Sequence, residues 1–175
     1  MPGHSKEQEK GGLSMAIWIE PIFDRTEEDV SFAEGKIKEW IAAQLTGNPV
    51  ETYDLKGCLN LSDLNRIEGN IQYLSDRLDE LHYFSGASSK VWERSGLPTE
   101  RDIRRILSNI RYIIAAYHQQ EGVSDVPEDM ATYSDINAIE ENLYRIKQLL
   151  DSMVNGFQKS GMFTSGGMRM LPTRR

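Results

Sequence analysis

Residues 60–81, NLSDLNRIEGNIQYLSDRLDEL, constrain the fold more than any other stretch, because their apolar positions recur at alternating intervals of three and four. Leu64, Ile67, Ile71, Leu74, Leu78 and Leu81 therefore share one narrow seam of an α-helix. A seam this narrow is covered by other helices that cross it at the shallow angles of bundles and coiled coils. Its start is marked as well. Asn60 can cap the first turn, and Asp63 supplies the returning carboxylate of a capping box at the positive end of the helix dipole.

Three further segments follow the pattern. Thr26 and Asp29 open a helix with Val30, Ala33, Ile37 and Trp40 on one face and Ile41 and Leu45 beside it, stopped by the Gly-Asn-Pro run at 47–49. Thr99 and Asp102 open another, with the seam Ile103, Ile106, Ile110, Ile113 and Tyr117. Thr132 and Asp135 open the last, with Ile136, Ile139, Leu143, Ile146, Leu150, Met153 and Phe157. Superposing the seams aligns Asp63, Asp102 and Asp135, then Ile67, Ile106 and Ile139, then Asn70, Asn109 and Asn142. The helix at Asp29 is a degraded fourth copy, with Lys36 at the asparagine position. Duplication explains the likeness, and so do the common demands of capped amphipathic helices. The three asparagines flank the seams, where an amide either bonds across helices and fixes register or faces solvent.

Helices with one apolar seam each satisfy one another in a bundle. The expected fold is all-α: a small bundle of about four amphipathic helices at 27–45, 61–84, 99–118 and 133–155, with extended N- and C-terminal arms. Residues 1–14 form a polar arm, 15–157 the bundle, and 158–175 a basic arm rich in glycine and methionine. Residues 15–22, MAIWIEPI, read as an extended segment or edge strand, with Trp18 against the bundle or at a subunit contact.

Charge narrows the partners. The chain carries −7, but residues 156–175 hold Lys159, Arg169, Arg174 and Arg175 and no acid, which leaves −11 on the rest. An acidic body repels nucleic-acid phosphates, which argues against nucleic acid as a partner. The basic tail, with Arg169 and Arg174, suits docking on the acidic body of a neighbouring subunit. No run approaches the roughly 18 apolar residues of a membrane span, and the polar N-terminus has no secretory h-region. The single cysteine, Cys58, excludes an intrachain disulfide and reads as a small half-buried residue before a helix.

Catalytic machinery is not evident. His82 and His118 fall near helix C-termini, where they suit the dipole better than a ligand role, and His4 lies in the polar arm. Asp79-x-x-His82 is the nearest approach to a bundle di-metal motif and occurs once. HExxH, GxGxxG, Walker-type and GxSxG motifs do not occur. Glu68, Glu140 and Glu141 sit beside seam positions and read as solvated helix flanks. Trp18, Trp40, Trp92, Tyr73 and Tyr112 read as core and interface. The expectation is no enzyme, no cofactor and no metal.

Two phrases carry a family likeness. FDRTEEDV, followed by a helix and then DLKGCLNLSDLNRIEGNIQYLSDRL, resembles minor structural proteins encoded among the tail and baseplate genes of bacteriophages and prophages of Gram-positive bacteria. Those chains share a W-x-x-P-x-x-DRT-x-x-DV opening and a L-K-G-x-x-N-x-S-DLNRIE-x-N segment. Here the matching residues are Trp18, Pro21, Asp24-Arg25-Thr26, Asp29-Val30, Leu55-Lys56-Gly57, Asn60 and Ser62 through Glu68. DINAIEENLYRIKQLL and MFTSGG resemble later parts of such proteins, so the likeness spans about residues 15–167. It implies a virion tail component, made in the host cytoplasm, and brings no catalytic residues.

Together these readings give a non-enzymatic structural component of a phage tail or baseplate. It is expected to form homo-oligomers and to contact other tail proteins. The alternative is a receptor-binding or fibre-anchoring module at the tail tip, and a lysis accessory or small helical enzyme is the third. The expected packing and interaction residues are Trp18, Trp40, Leu64, Ile67, Ile71, Leu74, Ile106, Ile110, Ile139, Leu143, Arg169 and Arg174.

Overall fold

The computed structural model describes residues 16–94, 96–116, 123 and 125–159. Residues 1–15, including His4 and Met15, Tyr117, His118, the Phe157 side chain and residues 160–175, including Arg169 and Arg174, lie outside the described residues, and residues 158–159, expected in the C-terminal arm, continue α4. The fold is all-α: α1 spans Glu27–Leu45, α2 Leu61–Glu80, α3 Glu100–Ala116 and α4 Tyr133–Lys159. Residues 16–25 are extended without pairing into a strand, and no strand occurs among the described residues.

The helix starts follow from local chemistry. Thr26, Thr99 and Thr132 each receive the backbone N–H of the aspartate three residues on and return their own N–H and hydroxyl to its carboxylate. At α2 the Asp63 carboxylate accepts the Asn60 N–H, at 2.9 Å, while the Asn60 amide braces the preceding turn through the N–H and carbonyl of Leu55. α2 ends at Glu80 rather than near Phe84, because His82 adopts the left-handed conformation at φ 64°. The Tyr83 N–H then reaches the Leu78 carbonyl and the His82 N–H that of Asp79, which closes a Schellman turn.

α2, α3 and α4 pack on one another around a single core. Leu64, Ile67, Ile71 and Leu74 of α2 meet Ile106 and Ile110 of α3 and Ile139 and Leu143 of α4 there, all buried. Three extended segments each bring a large apolar side chain against this core. These are Trp18 from 16–25, Trp92 from 85–94 and Met130 from the stretch before α4. Three straps thus lie over three helices.

α1 does not share the core. Of its expected seam only Ala33 is buried, and Trp40 lies half-buried against its own return loop, edge-on to Tyr53 at 5.3 Å. The loop runs back along α1 and closes at its base. There Gly57 touches the backbone of Asp29 and Val30 so closely that a Cβ would overlap it, and Lys56 bridges Asp24 (3.1 Å) and Asp29 (3.4 Å). The degraded fourth copy is therefore a helical hairpin inserted between the first strap and α2. The Trp40 side of its pattern is met by that loop, while Ile37, Ile41 and Leu45 stay exposed.

Candidate functional site

The densest polar chemistry lies where the straps cross the helix grooves. Asparagine side chains hold the straps by gripping both the N–H and the carbonyl of one residue. Asn70 takes the Ile19 N–H at 3.0 Å and donates to the Ile19 carbonyl at 2.7 Å. Asn137 does the same for Arg25, Asn65 for Trp92 and Asn109 for Ser88. An amide that pairs with a passing backbone in this way replaces the neighbouring strand that an extended segment otherwise needs. Asn70 and Asn109 are thus neither solvent-facing nor bonded to another helix. Their partners are strap backbones.

Glu140 and Glu68 are the main correction to the sequence reading. Both were expected as solvated flanks, and they are 0% and 1% exposed. Only Glu141 is open to solvent, pairing with Arg145 at 3.4 Å. Glu140 accepts the Ile22 N–H at 2.7 Å, Arg66 at 2.7 and 2.8 Å, and Arg25 at 3.0 Å. Asp63, also buried, accepts Arg25 at 2.9 Å and Arg66. Two guanidinium groups thus face two carboxyl groups, and every carboxyl oxygen named has a donor, which is what makes burial of charge tolerable. Burial alone works against the Arg66 charge, but Glu140 and Asp63 outweigh it and hold that guanidinium above its ordinary range.

The second groove repeats the device. Glu68 accepts the Lys90 N–H at 3.2 Å, the Trp92 indole N–H at 3.1 Å and the Arg105 guanidinium at 3.0 Å. Its bonds to Arg105 hold that guanidinium above its ordinary range, against a smaller effect of burial. Strap cation and capping aspartate also recur: Arg25 on Asp63, and Lys90 on Asp102 at 3.0 Å. In repeat register Glu68 matches Glu140, Arg66 matches Arg105 and Asn65 matches Asn137. The third groove, between α3 and α4, differs. Leu107 and Ala138 stand at the acid and base positions, and the covering strap contributes Val123, Val126 and Met130. Both members of the ion pair are replaced, and among the described residues no charge of that pair is left buried alone.

The remaining expected residues are placed as follows. Trp18 is half-buried, its ring 5.5 Å from that of Tyr73 and 5.5 Å from Lys147 Nζ, with its indole N–H on Glu20. Trp92 is buried and Tyr112 exposed. Cys58 is half-buried, and burial, followed by the Asp63 carboxylate, pushes its thiol up. A cleft of about 360 Å³ opens between the start of α1, the Gly57–Leu59 turn and the start of α4, with Glu27 the only carboxylate lining it. No group of three or more His, Cys, Asp or Glu side chains among the described residues is placed to hold a metal ion. Among those residues no helix is long and apolar enough to cross a membrane. The buried ionic groups are thus occupied in joining straps to helices. Compared with protein-family models, curated proteins and solved structures, the chain matches none.

Proposed function

We propose that this chain is a non-enzymatic structural component of a bacteriophage tail or baseplate, acting in particle assembly through contacts with other subunits. The observation that carries the reading is α1. It stands on a locked base, outside the core, and leaves Ile37, Ile41 and Leu45 uncovered at 38%, 52% and 83% exposure. A helix held out in this way adds little to the chain's own stability, and its uncovered apolar residues suit a neighbouring subunit. The phrases that resemble phage tail proteins supply this architecture. Arg25, Asp63, Arg66 and Glu68 clamp straps and helices, while Lys56 and Gly57 lock the base of α1.

The test is to raise antibody against the purified chain and image tail particles from a producing strain. Label at a fixed position on the particle supports the reading, and particles that never carry the chain overturn it. Addition of soluble protein to an adsorption assay separates assembly from receptor binding, since a structural component leaves adsorption unchanged.

A further inference from the structure

Ile37, Ile41 and Leu45 follow one another at intervals of four along α1 and make a single outward stripe. We infer that this stripe pairs antiparallel with the same stripe of a second copy of this chain, about a two-fold axis through Ile41. The inference deepens the assembly reading above, on which it rests.

Three observations select a second copy and this direction. The stripe is symmetric about Ile41, so a two-fold there sets Ile37 of one copy on Leu45 of the other and Ile41 on itself. Such a self-complementary patch is what an isologous contact requires. The charges along its edge are compatible as well. Glu34 and Lys38 pair within the helix at 3.8 Å; the two-fold sets Lys38 opposite Gln44 and carries Glu34 past the end of the partner's α1, which stops at Leu45, so no like charges meet along the paired helices. Direction follows from net charge. Each chain carries −7, and each body joins α1 near Val30, where Gly57 locks the base. A parallel pair would set two acidic bodies side by side. The antiparallel pair separates the attachment points by roughly 33 Å at 1.5 Å per residue, several screening lengths at physiological salt. A helix of 19 residues paired along one face buries on the order of 1,000 Å², near the lower bound for specific contacts. The dimer is accordingly reversible.

Sedimentation and light scattering of the full chain up to about 100 μM should show a monomer–dimer equilibrium. Ile41→Asp, at an exposed position, should weaken it at least about tenfold with an unchanged circular dichroism spectrum. In a Cys58→Ser background, Ile41→Cys should form a disulfide-linked dimer under mild oxidation, whereas Phe32→Cys, on the opposite face of α1, should not. A wild-type chain that stays monomeric, or cross-linking that is equal at both positions, overturns the inference. A monomer found in tail particles sinks the dimer alone. A dimer that is absent from particles sinks the assembly reading alone.

Discussion

Arg25 Nη2 and Asp63 Oδ1 meet at 2.9 Å with both side chains closed to solvent, so the residue that ends the first strap is tied to the first turn of α2 across the whole α1 hairpin. Arg66 donates to the same Asp63 oxygen, and Glu140 accepts from both arginines. Removing one guanidinium therefore leaves two buried carboxyl groups sharing the other. Arg25→Met is expected to cost about 3–5 kcal/mol in urea denaturation, and hydrogen exchange at Ile19 and Ile22 should rise as the strap loosens. A loss below about 1 kcal/mol would show that the group is not coupled to the fold.

The second groove offers a sharper comparison, because the third shows its apolar counterpart. Arg105→Ala strands Glu68, which is buried, and should cost several kcal/mol. Adding Glu68→Leu, the residue found at Leu107, should return part of that stability even though the Trp92 indole N–H loses its acceptor. Chemical denaturation of the single and double variants decides. A double variant less stable than Arg105→Ala would refute the equivalence of the grooves.

Gly57 should tolerate no side chain. A methyl group there meets the Asp29 carbonyl and the Val30 nitrogen, which are backbone atoms that a rotamer change does not move. Gly57→Ala is expected to cost about 2–3 kcal/mol. It should also free the base of α1, seen as faster proteolysis within the hairpin while the bundle stays folded.

His82 occupies a left-handed position at the end of α2, where a side chain is strained and glycine is not. His82→Gly should raise stability by about 0.5–1 kcal/mol, read as a higher thermal midpoint. An unchanged or lower midpoint would mean that the side chain contributes a contact of equal worth.

Acid should weaken the fold through its capping aspartates. The Thr99 hydroxyl at 2.6 Å, the Thr99 N–H at 3.1 Å and Lys90 at 3.0 Å hold the Asp102 carboxyl well below the usual carboxylate range. Asp29 is lowered by the Thr26 N–H and hydroxyl, and by Lys56. A carboxyl whose folded pKa is depressed contributes stability above its unfolded value, near 3.9, and loses it as pH falls through the folded value. Asp102→Asn should therefore be less stable than wild type at neutral pH, with the gap narrowing progressively as pH falls below about 4. Urea midpoints across that range measure it.

The all-α class and the four helices are legible in the sequence because capping boxes and seam periodicity are local. Leu64, Ile67, Ile71 and Leu74 announce α2 without knowledge of what covers them. Burial of Glu68 and Glu140 is not local. It depends on Arg105, 37 residues away, and on Arg25, 115 residues away. One signal was present: Ile-Glu-x-Asn occurs at 67–70 and again at 139–142, in the same repeat register. A repeated acid beside a seam marks a shared partner better than it marks solvent. Asn70 and Asn109 lie beside the seams as their spacing implies, but their partners are strap backbones, and no periodicity foretells those. α1 misled for a different reason. Its pattern is amphipathic, and the sequence does not say whether a bundle or a returning loop fills that face.

The mismatch between the third groove and the other two also fixes a direction for change by single substitution. From the charged arrangement, losing the acid first leaves an arginine such as Arg105, at the groove's edge, able to turn outward into water. Losing the base first maroons a carboxylate inside. A lineage passing from Glu and Arg to Leu and Ala is therefore open in one order and blocked in the other. Homologous chains caught midway should carry an orphan arginine and not an orphan glutamate.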